Sequence, residues 1–227
     1  MKTNIINIFC VHDIVSDNPR SPWELNELDF ERILQQLSNH NFHFGRINEI
    51  NHKRESIAIF TFDDAPRGAL KWINKKAQIF NLKAVVFPVI DWLESPPPRS
   101  PHHSYRSLAS WKDIEESFSL GHCIGSHSMS HIPMHNIERT RLIFELESSK
   151  KVIENRLNTK VDLFSAPFGK LSEEVVKTAF EIGYSLIFST NPGGNNLQDF
   201  QAGILKRIVL RSDLPNFGIP GKLIKKN

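Results

Sequence analysis

Two short stretches of this chain carry residues whose types and spacing could do chemistry. Ile59-Phe60-Thr61-Phe62 reads as a β-strand that runs directly into two adjacent carboxylates, Asp63 and Asp64. Further on, Gly125-Ser126-His127-Ser128-Met129-Ser130-His131 sets two imidazoles four residues apart, just ahead of the helix-breaking Pro133. One carboxylate and two histidines form the open facial set that binds a divalent metal and leaves room for water. The other carboxylate is then spare, and a spare base beside a metal-activated water is what hydrolysis needs. The pattern points to a metal-dependent hydrolase.

Those residues need a scaffold that brings distant loops together, and the hydrophobic pattern supplies one. Apolar runs at Ile5 to Val11, Ser56 to Phe62, Leu82 to Val89, around Cys123-Ile124, Val161 to Phe164, Tyr184 to Phe188 and Ile204 to Leu210 read as strands. Between them, Phe30, Ile33, Leu34 and Leu37 repeat at helical spacing, as do Leu70, Ile73, Ala77 and Phe80. Ile114, Phe118 and Leu120 suggest another helix, Leu142, Leu146, Ile153 and Leu157 a long one, and Glu173 to Phe180 a last one. Such alternation implies a largely parallel sheet or barrel. Functional residues in these folds gather where strands end. His12, Asp63, Asp64, His127 and Pro167-Phe168-Gly169 each follow a predicted strand, which assigns them to one site.

Composition narrows the class. The 227 residues suit one sizeable α/β domain spanning 1–227, and 40% hydrophobic content can fill its core. Lys and Arg number 28 against 25 acids, interspersed, so no strong field argues for nucleic acid. Lys222, Lys225 and Lys226 form a small basic tail, a solvated terminus or a peripheral contact with an anionic membrane face. Cys10 and Cys123 lie in apolar runs and read as buried free thiols, in keeping with a reducing compartment. The start of the chain lacks a signal-peptide pattern, and no apolar run reaches transmembrane length, so the expectation is a soluble, cytoplasmic protein. One long irregular segment, Asp91 to Ser110, carries Trp92, His102, His103, Tyr105 and Arg106, which suit either a wall of a sugar-binding groove or a mobile surface loop.

Taken together, Thr61-Phe62-Asp63-Asp64 and His127-Ser128-Met129-Ser130-His131 resemble the first two motifs of the polysaccharide deacetylase (NodB-homology, carbohydrate esterase) family. The lead-in from Ser110-Trp111-Lys112-Asp113-Ile114 to Gly125-Ser126 is similar to that family's helix before the histidine motif, and Ala166-Pro167-Phe168-Gly169 resembles the core of its third motif. The resemblance implies a distorted (β/α) barrel of about seven strands. It assigns Asp64, His127 and His131 to one divalent metal, Asp63 to general base, and the backbone N–H of Phe168 to oxyanion stabilisation. Zinc is the first expectation for the metal, and cobalt, nickel or manganese suit the same ligands.

Three departures qualify the match. Ala65 stands where the family has glycine, Ser165 where the third motif commonly begins with arginine, and no histidine follows His135 to serve as the usual late catalytic residue. Cys10-Val11-His12-Asp13-Ile14 offers an answer to the last of these. It is similar to the N-terminal segment of the biofilm poly-N-acetylglucosamine deacetylases, a circularly permuted branch whose catalytic-acid histidine lies upstream of the paired acids. His12 is therefore the expected acid, brought by a first strand lying beside the strand near Ile204 to Leu210. Its place would be on the side of the metal away from Asp63, with Asp13 or a carboxylate from elsewhere orienting it. Arg207 or Arg211 could supply the missing arginine; Arg207 is preferred on placement, and a surface salt bridge is the bland alternative. The implied activity is hydrolysis of an N-acetyl group from an amino sugar or glycan intermediate in surface-polysaccharide synthesis. The rivals are an amidase or O-deacetylase on another substrate, and a non-catalytic carbohydrate-binding relic.

Overall fold

The computed structural model describes residues 5–48, 56–94 and 107–224. The chain opens with β1 (Ile5–Val11), two three-residue strands, β2 (Asp13–Val15) and β3 (Glu24–Asn26), and helix α1 (Glu27–Asn39). After β4 (His43–Phe44) come β5 (Ser56–Asp63), α2 (Arg67–Lys76), β6 (Val85–Phe87) and the short α3 (Ile90–Glu94). Next are α4 (Trp111–Ser119), β7 (Cys123–Ile124), the long α5 (Arg139–Leu157), β8 (Leu163–Ser165) and α6 (Glu173–Ile182). The chain then runs through β9 (Leu186–Phe188), α7 (Leu197–Ala202), β10 (Ile204–Leu205), β11 (Ile208–Val209) and α8 (Gly221–Ile224).

All seven runs predicted as strands are strands, and they pair in parallel. One sheet has the order β11-β1-β5-β6-β7, with β4 added along the start of β5; a second has the order β10-β9-β8. A lone parallel bridge from Ser126 to Phe164 joins β7 to β8. The expected barrel is thus curved but not closed. It opens where the last predicted strand breaks into β10 and β11, at Lys206 and Arg207. There the Asn195 side chain takes both backbone groups of Lys206, at 2.9 Å each, in place of a neighbouring strand.

Alternation along the central strands sorts their side chains into two layers. Ile6, Ile8, Ile57, Ile59, Val85, Phe87, Leu163, Phe188 and Leu205 pack together on the inner face. Phe9, Val11, Phe60 and Phe62 face outward, against the helices. Helix α1 buries Phe30, Ile33, Leu34 and Leu37, the positions its spacing marked. Phe30 meets Phe60, Phe62 and Trp72 edge-on. Higher up the inner face the apolar filling gives way to Cys10, Thr61 and Asp63, so the barrel's upper end is polar. No helix of the described residues is long and apolar enough to cross a membrane.

Part of the segment expected to be irregular is ordered: Asp91 and Trp92 belong to α3. His102, His103, Tyr105 and Arg106, and likewise Lys225 and Lys226 of the basic tail, lie outside the described residues.

Candidate active site

Strand β5 carries both acids to the upper rim. Asp63 continues the inward row Ile57, Ile59, Thr61, while Asp64 and Ala65 leave the strand with φ of 67° and 49°. That left-handed turn swings Asp64 to the same side as Asp63 instead of the opposite one. Glycine would adopt it freely; Ala65 holds it at a cost of roughly 1 kcal/mol.

The Oδ1 atom of Asp64 lies 3.4 Å from the Nε2 of His127 and 3.4 Å from the Nε2 of His131. Ligands placed tetrahedrally at about 2.0–2.1 Å from one ion are about 3.3 Å apart, so this donor set fits a divalent metal of the zinc type. The orientation of His127 is fixed from behind, where its Nδ1 donates to the Ser165 carbonyl at 2.7 Å and leaves Nε2 to face the carboxylate. Burial opposes charge on the Asp64 carboxyl, but His127 and His131 outweigh it and hold its pKa well below the ordinary range. Burial likewise opposes charge on His127, and the two carboxylates more than reverse it, raising its pKa. The centre therefore attracts positive charge.

The loop carrying the histidines is strained and held in place. Ser128 and His131 have φ of 71° and 57°. Glu145 of α5, fully buried, accepts the Met129 and Ser130 N–H groups at 3.0 and 2.9 Å and the Ser130 hydroxyl at 2.5 Å. Sequence reasoning missed Glu145. The signal was present: it sits three residues after Leu142 and beside Leu146, on the apolar stripe of α5, where a carboxylate needs a reason.

Asp63 has a different environment. Arg207 meets it through two hydrogen bonds, Nη1 to Oδ1 at 2.7 Å and Nη2 to Oδ2 at 2.8 Å. Burial alone would push the Asp63 carboxyl up; the Arg207 guanidinium overrides this and holds it far below the usual carboxylate range. Burial also works against the charge of Arg207, yet the paired Asp63 carboxylate pushes its pKa above the usual arginine value. Ser165 hydrogen-bonds the same Asp63 oxygen at 3.0 Å, and the neutral thiol of Cys10, its pKa raised by burial, donates to it at 3.6 Å. The arginine is wholly buried, so the surface salt bridge considered for it is ruled out. Ser165 is more than a lost arginine: it hydrogen-bonds both Arg207 and Asp63.

His12 is brought to the site, though not on the expected side. One donor atom each from Cys10, His12 and Asp63 lie within 4.8 Å of one another, so His12 sits beside Asp63 rather than across from it. The register explains this. Cys10 pairs with Thr61, and His12, two residues on, falls next to Asp63 on the same face. The first strand does lie against β11, with Phe9 opposite Ile208 and Cys10 opposite Val209. Asp13 accepts the Ile14 N–H at 2.8 Å and the Ala69 N–H, at the start of α2, at 3.0 Å. The ring of Trp23, unmarked in the sequence, tilts against His12 at 4.7 Å, with the Arg211 guanidinium 4.9 Å from its centroid.

Phe168 occupies a left-handed turn (φ 60°, ψ 6°) after β8, and its ring, 55% exposed, lies 4.8 Å from that of His131. Three further residues stand apart from the centre: the ring of His122 accepts the Ala84 N–H at 3.1 Å, Trp111 is buried under Arg156, and His135 is exposed on a loop. A cleft of about 770 Å³ opens over His12, Asp63, Asp64, His127, His131 and Arg207 together.

Comparison with known proteins agrees with this geometry. Deacetylase PplD of Streptococcus pyogenes, solved in complex with acetate, superposes with a TM-score of 0.79 at 18% identity, over 99% of this chain and 100% of that one. IcaB from Ammonifex degensii gives 0.82 at 17% identity, over 93% and 94% of the two chains. A de-N-acetylase from Aggregatibacter actinomycetemcomitans gives 0.78 at 16%, over 93% and 97%. At these identities the likeness is one of fold. The curated relative YxkH of Bacillus subtilis (strain 168) is 24% identical over 139 residues, covering 61% of this chain and 46% of YxkH, so the chain spans less than half of that relative's length. The Polysaccharide deacetylase family model matches residues 50–187, which include both acids, both histidines and the Pro167-Phe168-Gly169 turn. With more than half of its length matched, the chain belongs to the polysaccharide deacetylase family.

Proposed function

We propose that the protein hydrolyses the N-acetyl group of an amino sugar, with Asp64, His127 and His131 holding one divalent metal, zinc first. The observation that carries this reading is the pair of 3.4 Å approaches of the two Nε2 atoms to one Asp64 oxygen, beside a second acid that Arg207 grips through two hydrogen bonds and that stands farther off, 3.9 Å from His127 Nε2. When bound there, the metal supplies Lewis-acid polarisation and brings the pKa of water toward neutrality.

The chain's own residues do the rest. Arg207 keeps Asp63 ionised at neutral pH and fixes its rotamer, so the carboxylate is always ready to accept the proton of the attacking water. The backbone N–H of Phe168, presented by its left-handed turn, is the candidate donor to the developing oxyanion. His12 is the candidate acid for the leaving nitrogen: the amide C–N bond breaks only as that nitrogen takes a proton, giving acetate and a free amine. Surface-polysaccharide synthesis is the setting we assign to this activity.

Acetate release from N-acetylglucosamine oligomers, O-acetylated xylan and simple acetamides separates the readings. The expected result is turnover of the first set above the other two. His12→Ala should cost an amide substrate far more than an ester, because an alkoxide can leave without prior protonation and an amine cannot. Faster release from the ester, with His12→Ala indifferent to substrate, would favour O-deacetylation instead.

A further inference from the structure

The cleft is chemically lopsided. Outside the six residues already given roles, the polar side-chain groups among its described lining residues are those of Thr190 and Arg211 and the single indole N–H of Trp23. Arg211 is already engaged, paired with Asp213 at 2.9 and 2.6 Å and stacked over Trp23. The rest of the wall is apolar. Leu214 is 40% exposed within it, Pro192 and Pro220 are exposed, and Val209 and Trp23 are half-buried. A groove built for a wholly hydrophilic glycan needs hydrogen-bond partners for several hydroxyl groups, and ligand sites place such partners where orientation depends on them.

The apolar wall has a definite position. The backbone of Leu210 bonds that of Cys10 at 2.8 Å, and the backbone N–H of Ser212 bonds the Pro22 carbonyl at 3.0 Å. The segment from Val209 to Leu214 therefore runs beside β1 and the Trp23 loop, on the His12 side of the centre. In the deacetylation proposed above, on which this inference rests, His12 serves the leaving nitrogen, and the sugar is attached to that nitrogen. The sugar's other substituents consequently meet this wall, while the acetyl group points toward the metal ligands.

We propose that the substrate is amphiphilic: an acetamido sugar whose aglycone is an apolar chain, seated against Trp23, Val209, Leu214 and Pro220. Covering exposed apolar side chains is the stabilisation this wall offers, and a hydroxyl-rich polymer would forgo it.

A series of alkyl β-glycosides of N-acetylglucosamine, from methyl through butyl to hexyl, tests this with the metal-loaded protein. KM should fall with chain length by up to about fourfold per methylene, the factor equivalent to the ~0.8 kcal/mol of a buried CH2. Leu214→Ser should flatten the series. A KM independent of aglycone length, or one that falls instead when the N-acyl group is lengthened on the methyl glycoside, would overturn the proposal. Binding of methyl and hexyl β-glucoside, which carry no acetamide, is measured by calorimetry as a second arm. Tighter binding of the hexyl compound, lost in Leu214→Ser, supports the wall even if no glycoside is hydrolysed, in which case the deacetylase reading fails alone. Equal binding of the two glucosides would overturn the proposal irrespective of turnover.

Discussion

Arg207 and Asp63, 144 positions apart in the chain, meet through two hydrogen bonds of 2.7 and 2.8 Å at the buried floor of the cleft. The guanidinium also donates to Thr61, Ser165 and the Ser189 carbonyl, which ties β5, β8 and β9 to the start of β11. Removing one member of such a pair leaves the other buried and uncompensated, at a cost of about 3–5 kcal/mol. Arg207→Met should lower stability by that order, whereas Ser165→Ala, which removes two hydrogen bonds but leaves the ion pair intact, should cost less, about 2 kcal/mol. Urea denaturation of both variants checks this. An Arg207→Lys variant with unchanged stability and turnover would show that the two-pronged contact is dispensable.

The two neighbouring acids should separate cleanly in their effects. Asp63→Asn should keep the metal and reduce turnover by roughly 10²–10⁴, the span for losing general acid–base help. Asp64→Asn should lose the metal itself. Metal analysis beside steady-state kinetics distinguishes them, and equal metal loss in both variants would mean that the roles have been divided wrongly.

Glu145 should act through the histidine loop without touching substrate. With its carboxylate replaced, the N–H groups of Met129 and Ser130 lose their acceptor and the left-handed turn at His131 loosens. Glu145→Ala should weaken metal affinity by about 10–100-fold, as loss of an outer-shell partner does. A competition titration with a chromogenic chelator measures this. Affinity unchanged in a folded Glu145→Ala protein would remove the residue from the account.

His122 gives the fold a pH dependence remote from the site. Burial, together with Lys83 and Arg46, lowers its pKa to about 4, and its Nδ1 accepts the Ala84 N–H. The folded form binds a proton less readily than the unfolded chain, whose histidine titrates near 6.5. The neutral ring's contribution is thus fully present above about pH 6.5 and is lost as pH falls from there toward 4. His122→Asn should show a shallower loss of stability between neutral and mildly acidic pH than the parent protein. Parallel curves for the two proteins would contradict the assignment.

Much of this site was legible in the sequence because its signals are local. The paired acids end a strand, the two histidines share one loop, and each lies where a β-run stops, so strand ends alone gathered them. That His12 reaches the site at all followed from a first strand lying against the last, although its side did not. What escaped depended on facing direction and on partners far away. Counting alternate residues from the Cys10–Thr61 register puts His12 next to Asp63, but that register is a tertiary fact. The partners of Glu145 were hidden because they are backbone N–H groups of another loop, and Trp23 because it stands on a connection without periodicity. The opening of the barrel at Lys206 rests on one asparagine side chain, Asn195, whose partner no pattern announces.

The central claim is that Asp64, His127 and His131 hold a metal on which hydrolysis depends. Purified protein is stripped with chelator, dialysed and titrated with Zn²⁺ while metal content and acetate release from N-acetylglucosamine oligomers are followed together. The account predicts that activity vanishes on stripping and returns at one ion per chain, and that His127→Ala neither binds the ion nor recovers. Acetate release undiminished in metal-free protein, or failure of the intact triad to bind any divalent ion under any loading condition, would contradict it.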